Sequence, residues 1–331
     1  MAYRLKPGRF KPEAIRTIAR EQVARAVAAL SHDPVPPEGV HEARKVVKRL
    51  RSLLRLIEPS LRAGDFKARN KEIGRLGDRL AGAREAHVMR ETVAKLEGHF
   101  DGEAKAVLAP LAAMFADDVE GHAPELSGER ARRIIDGFVE EGRRLDRLAI
   151  KGRGFDCVAG GLKRTYRAAR KAFARAYDKP GDKRFHDLRK AVQWHQRHVI
   201  LLSRAWPEQA SMRVSACRDL AERLGDDHDL SVLIEIVERR GGATLDQAGV
   251  IRLARRRQAE LRAAAFALAQ RLFAETPPAF MKRMARYWGS APLIPAALPR
   301  PPAQVKAGAG SGTAPDNPGR PPKEDHSQTP S

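Results

Sequence analysis

One short block of sequence occurs twice in the chain, and this repetition limits the possible folds more than any other feature. Residues 40–47 read Val-His-Glu-Ala-Arg-Lys-Val-Val, and residues 185–192 read Phe-His-Asp-Leu-Arg-Lys-Ala-Val. A basic helical segment before each block and a leucine-led element after it recur in the same order and at nearly the same separation. Ordered matches of this kind indicate a duplicated structural unit. We therefore expect two pseudo-symmetric halves, about 10–150 and 155–288, packed around an approximate two-fold axis.

The segment from about residue 10 to 288 has the composition of helices, so the predicted fold class is all-α. Ala, Leu, Arg, Glu and Lys dominate it, and aromatic residues make up only 5% of the chain. Pro and Gly cluster at a few breaks, and apolar residues recur between the breaks at helical spacing. The expected helices are 12–30, 39–57, 64–97, 103–117, 128–147, 156–177, 183–204, 209–239, 244–274 and 278–288.

The composition changes in the last segment, 290–331. This segment holds nearly half of the 22 prolines and several glycines, and it has too few apolar residues to bury a core. We expect a disordered Pro/Gly-rich tail. Its basic and acidic residues almost cancel, so the excess charge of the chain belongs to the helical part.

The net charge points to a polyanionic partner. The chain has 62 Lys and Arg against 41 Asp and Glu, a formal charge of +21. Nucleic acid, inorganic polyphosphate and an anionic membrane face all fit such a charge. The longest weakly polar run, 106–116, is too short to span a bilayer, so we expect no membrane insertion. No apolar leader is visible and the two cysteines build no disulfide framework, so we expect a cytoplasmic protein.

The helix that carries the first block has an almost purely cationic face. If Arg44 is the reference, Lys48, Arg51 and Arg55 lie within about 40° of it on a helical wheel. The same side is widened by His41, Lys45 and Arg49. Like charges one turn apart destabilise a helix, so a face this uniform favours a polyanion-binding surface over an ordinary solvated one.

The second copy keeps less of this charge. It retains His186, Arg189, Lys190 and Arg197, whereas Gln193 and other residues replace cations of the first copy. We therefore expect the first half to dominate anion binding. Further candidate anion-binding residues on the helices before the two blocks are Arg16, Arg20, Lys163, Arg167 and Arg170.

Two histidines, an acidic run and a glycine pair are interpreted as structural features and not as binding sites. His195 and His198 fall on the apolar face of their helix, which favours a core position. The acidic run 226–229 is read as an acidic patch at a helix N-terminus that pairs with buried arginines, not as a metal site. The glycines of 160–161 are read as a linker. No known nucleotide-binding or nucleophile motif occurs, so no catalytic residue, metal or cofactor is expected.

Four elements in order resemble the CHAD domain, a family of histidine-bearing α-helical domains. They are the basic block 41–51, its repeat at 186–190, the helix start 161–167 and the Leu-Gly-Asp element 224–229. The resemblance covers about 10–288. It implies one compact helical domain of two four-helix-bundle-like halves with a basic central pore. It also implies binding of inorganic polyphosphate and association with polyphosphate granules.

The resemblance assigns polyphosphate binding to specific residues of the first block: Arg44, Lys45, Lys48, Arg49 and Arg51. Our leading hypothesis is a protein that binds polyphosphate without processing it. The alternatives are an RNA- or DNA-binding helical protein, in which nucleic acid is the competing polyanion, and an enzyme that processes polyphosphate.

Overall fold

The computed structural model describes residues 3–8, 10–80, 84–100, 102–120, 126–240 and 245–291. Within these ranges the secondary structure consists of α-helices and two short 3₁₀ turns. The helices are α1 (Glu13–Leu30), α2 (Pro37–Ile57), α3 (Asp65–Arg79), α4 (Arg84–Phe100), α5 (Gly102–Glu120), α6 (Gly128–Asp146), α7 (Asp156–Asp178), α8 (Asp182–Leu202), α9 (Pro207–Arg240), α10 (Gln247–Leu272) and α11 (Pro277–Ser290). All lie in one compact unit, Met1–Ile294.

The all-α class is confirmed, and most helix bounds match the expected ones to within about three residues. The single helix expected at 64–97 is wrong, because α3 ends at Arg79 and α4 begins at Arg84. The sequence between them contains Gly82, which costs a helix about 1 kcal/mol relative to alanine. The predicted tail from residue 292 onward lies outside the described residues.

Helix α2 forms the centre of the larger hydrophobic core. It packs against α1, α3, α7 and α8. The apolar face predicted for this helix is confirmed, since Val46, Leu50, Leu53, Leu54 and Ile57 are all buried. Burial of each such side chain contributes about 2 kcal/mol, so the cationic face of α2 is held in place by its apolar face.

A second hydrophobic core joins helices from both predicted halves. Met89, Val93 and Leu96 of α4 belong to one cluster with residues of α5, α9 and α10, such as Leu111 and Leu233. The hairpin of α4 and α5 therefore shares its core with α9 and α10, although it precedes the boundary expected near residue 150. This packing places the end of α4 beside the middle of α9.

Helices α2 and α7 cross at a glycine. Gly161 lies inside α7, and a Cβ atom added to it would lie 1.8 Å from the carbonyl oxygen of Leu56. The linker interpretation of 160–161 is therefore wrong, because this glycine allows the backbones of the two helices to touch.

The two core histidines tie α8 to its neighbours, and their predicted burial is confirmed. The Nε2 of His198 lies 2.9 Å from the carbonyl oxygen of Ser52, so this nitrogen carries the proton and donates it. Its Nδ1 lies 3.0 Å from the Thr165 hydroxyl. His195 accepts a hydrogen bond at Nε2 from Arg213 Nε at 2.9 Å.

The acidic run 226–229 lies in the middle of α9, so its expected position at a helix N-terminus is wrong. Its expected ion pairing with arginine is confirmed at Asp227, which is 1% exposed and lies 2.6 Å from Arg262 Nε. Of the helices that the structure describes, none combines the length and the apolar character needed to cross a bilayer.

Candidate functional site

The basic residues of α2 lie on one side of the helix, as the wheel predicts. His41, Lys45 and Lys48 are exposed, whereas Arg44 and Arg51 are half-buried. Arg51 donates to the side-chain oxygen of an asparagine on α3 at 3.0 Å, which fixes its guanidinium between the two helices. This side of α2 is mostly cationic, and the carboxylate of Glu42 beside it lies 3.7 Å from Lys45.

Two arginines at the edges of this face make contacts within the protein. Arg49 lies 3.0 Å from Glu42 and donates to Gln22 at 3.3 Å. The guanidinium of Arg55 stacks on the ring of Trp194 at 3.9 Å from the ring centroid. Burial lowers the pKa of Arg55, and its Nε is buried with no hydrogen-bond partner among the described residues. Arg55 thus connects the basic face of α2 to α8.

A groove of about 410 Å³ lies between α8 and α9. We call it the α8–α9 groove. Its lining residues are Lys95, Arg189, Gln193, Gln196, Arg197, Arg218, Ala221, Glu222, Gly225, Asp226 and Asp229. Four of these are cations contributed by three different helices, and none is aromatic.

Arg189 is the cation of this groove that has a buried and unpaired donor atom. Its guanidinium lies against Gly225 of α9, where an added Cβ atom would be 3.4 Å from Nη2. Its Nε is buried and has no hydrogen-bond partner among the described residues. Buried donors are normally paired, so the Nε of Arg189 is an exception to that rule.

Arg197 occupies the side of the groove that faces α2. It donates to the carbonyl oxygen of Gln193 at 3.1 Å. Burial lowers its pKa, while nearby Tyr3 acts to raise it and Arg49 acts to lower it. The hydroxyl of Tyr3 donates to the carbonyl oxygen of Arg49 at 2.8 Å. Tyr3 therefore lies near an arginine of α2 and an arginine of α8.

Three carboxylates, those of Glu222, Asp226 and Asp229, offset most of the charge of the four cations in the groove. Asp226 lies 2.8 Å from Lys95. Burial raises the pKa of Asp229, and the positive charge of Arg189 acts in the opposite direction. In the part of the chain that the structure describes, no group of three or more His, Cys, Asp or Glu side chains could hold a metal ion.

His186 lies half-buried against the ring of His228, with ring centroids 4.1 Å apart. Burial, followed by the neighbouring His228, lowers the pKa of His186 to about 4. The ring of His186 is therefore neutral at pH 7 and adds no positive charge to the site. Lys190, one turn further along α8, lies 3.7 Å from Asp187.

The candidates on α1 do not reach the α8–α9 groove. Arg16 donates to the carbonyl oxygen of Leu148 at 2.9 Å, and Arg20 lies 2.8 Å from Asp146. These contacts tie α1 to the end of α6.

The candidates on α7 divide between an internal contact and the surface. Arg170 donates to the carbonyl oxygen of Glu275 at 2.6 Å. Lys163 and Arg167 are exposed on α7. None of the three lines the α8–α9 groove.

Sequence reasoning missed Lys95 and Arg218. Arg218 was detectable, because Arg218, Glu222, Gly225 and Asp229 follow one another at spacings that share a helix face. Lys95 was not, because it reaches the groove only through the packing of α4 against α9.

Comparison with known proteins identifies the fold and the family. The structure is similar to the crystal structure of the CHAD domain from the plant Ricinus communis, with a TM-score of 0.53 and 20% identity over 84% of this chain and 96% of that one. It is also similar to PptA from Streptomyces chartreusis, with a TM-score of 0.50 and 13% identity over 81% of this chain and 98% of that one. No curated protein matches the chain.

The family model of the CHAD domain matches residues 14–238, which is more than half of the chain. CHAD domains are known in general as polyphosphate-binding domains. The chain therefore belongs to the CHAD domain family.

Proposed function

We propose that this chain binds inorganic polyphosphate along the cationic face of α2 and in the α8–α9 groove, and that it does so without chemical turnover. The observation that carries this proposal is the α8–α9 groove, in which four cations from three helices line one cavity. Together the two surfaces would form the basic pore that the family resemblance implies. Association with cytoplasmic polyphosphate granules is part of the same proposal.

A phosphate chain suits these surfaces for a simple chemical reason. Each phosphate carries negative charge and several acceptor oxygens, and arginine donates to such oxygens in pairs. Arg189 and Arg197 present such donors in the α8–α9 groove. Arg55 on the cationic face of α2 stacks on Trp194 of α8, and this contact links the two helices that carry the proposed surfaces.

Replacing Arg189 should weaken binding strongly. Arg189→Gln removes a charge-assisted donor pair, so we expect the Kd for long-chain polyphosphate to rise about tenfold. The matched control is Arg132→Gln, which removes the same charge from the exposed surface of α6 and should leave the Kd within about twofold. The measurement is calorimetric titration at one fixed salt concentration, because salt itself changes polyanion affinity. Equal losses in the two variants would mean that only net charge matters.

The absence of turnover is tested separately. Polyphosphate incubated with the protein and Mg²⁺ or Mn²⁺ should release no inorganic phosphate above the rate without protein. Sustained release that depends on protein concentration would instead support the enzyme alternative.

A further inference from the structure

A second basic groove lies at the tip of the hairpin formed by α7 and α8. It has a volume of about 660 Å³, larger than the α8–α9 groove. We call it the α7–α8 groove. Its lining residues are Ala168, Lys171, Ala172, Arg175, Asp178, Lys179, Lys183, Arg184 and Asp187. The two grooves share no lining residue, so they are separate sites on the molecule.

The α7–α8 groove has five cations and two carboxylates. Lys183 pairs with Asp187 at 3.1 Å. In contrast, the other four cations have no carboxylate within 4.0 Å among the residues that the structure describes: Lys171, Arg175, Lys179 and Arg184. These four cations repel one another, and an anion bound between them would relieve that repulsion.

The other lining residues restrict which anion fits. The only apolar members are Ala168 and Ala172, one turn apart on α7. No aromatic ring is present on which a nucleobase could stack, and no larger apolar pocket is present to anchor a protein segment. Recognition in this groove therefore rests on charge and donor groups alone, which is the recognition that a bare phosphate chain requires.

We propose that the α7–α8 groove is a second binding site for linear phosphate chains, independent of the α8–α9 groove. The choice of phosphate chains as ligand rests on the proposed function, whereas the existence of an anion site rests on the groove itself. A protein with two such sites can hold one long chain at two points, which raises the overall affinity above that of either site.

Site-resolved NMR with inorganic tripolyphosphate tests the proposal, because so short a chain fits within one groove. We expect two independent sets of amide shifts, one at Ala172 and Gly181 and one at Ala221 and Gly225. Lys171→Ala with Arg175→Ala should weaken the first set about tenfold or more and leave the second unchanged. The control, Arg130→Ala with Arg132→Ala, removes two unpaired cations from the exposed surface of α6 and should change neither set.

The outcomes separate this proposal from the proposed function. If Ala172 and Gly181 do not shift while Gly225 saturates, the second site does not exist. If the Lys171 and Arg175 variant weakens both sets equally, the grooves are not independent and the proposal is wrong. If Ala172 shifts and Gly225 does not, the α7–α8 groove is an anion site and the placement of the main site in the α8–α9 groove is wrong.

Discussion

Gly161→Ala is expected to lower the free energy of unfolding by about 3 kcal/mol or more. The added Cβ would lie 1.8 Å from the carbonyl oxygen of Leu56, and its other near neighbours are also backbone atoms of that residue. No side-chain rotation can relieve such a clash, so α2 and α7 must move apart along their crossing. Urea unfolding followed by circular dichroism gives the change in free energy.

The matched control is Gly98→Ala in α4. A Cβ atom added there meets nothing within 4 Å, so the substitution should stabilise the protein by about 0.5 kcal/mol through helix propensity. An ordinary surface substitution changes the free energy of unfolding by about 0.5 kcal/mol or less. If Gly161→Ala lowered it by no more than that, the two helices would not touch at this point.

Acidification from pH 6.5 to 4 is expected to destabilise the protein, with about 3 kcal/mol of the loss coming from His198 alone. Burial is the main cause that lowers the pKa of His198 to about 4, and Arg55 and Arg197 add to it. In the unfolded chain the same ring takes up a proton near pH 6.5. Between pH 6.5 and pH 4 the unfolded state binds more protons than the folded state, so the free energy of unfolding falls as the pH falls. Above about pH 6.5 the ring is neutral in both states, and the contribution of His198 is constant.

His195 acts in the same direction, because burial and nearby Arg213 hold its pKa well below the ordinary value. Urea unfolding at several pH values measures the slope. His198→Gln keeps a donor toward Ser52 and removes the titration, so the slope should fall by about one proton. An unchanged slope in His198→Gln would show that His198 is protonated equally easily in both states.

The sequence was sufficient to predict most of the fold. The spacing of apolar residues predicted α2 and its buried face. Side chains such as Leu50 and Leu53 must be buried, whichever helices pack against them. It predicted burial of His195 and His198 on the same grounds. It could not predict that α4 and α5 pack on α9 and α10, since that pairing depends on tertiary contacts between residues far apart in sequence.

The candidate site was predicted in part. The helical wheel predicted the cationic face of α2, and in the structure these basic residues lie on the side of the helix opposite its buried residues. The expected dominance of the first half is untested, yet Arg189 and Arg197 of the second block line a groove to which α2 contributes no residue. The pairing of Arg16 with Leu148 and of Arg20 with Asp146 was not visible in the sequence, because it depends on where α6 ends.

The central claim, that this CHAD domain binds inorganic polyphosphate in preference to other polyanions, is tested most directly by competition between ligands. Calorimetric titration at one physiological salt concentration would compare long-chain polyphosphate, transfer RNA and duplex DNA of matched total charge. The α8–α9 groove has cations and no aromatic residue for stacking, so we expect polyphosphate to bind at least about tenfold more tightly than either nucleic acid. Equal or tighter binding of RNA or DNA would contradict the claim.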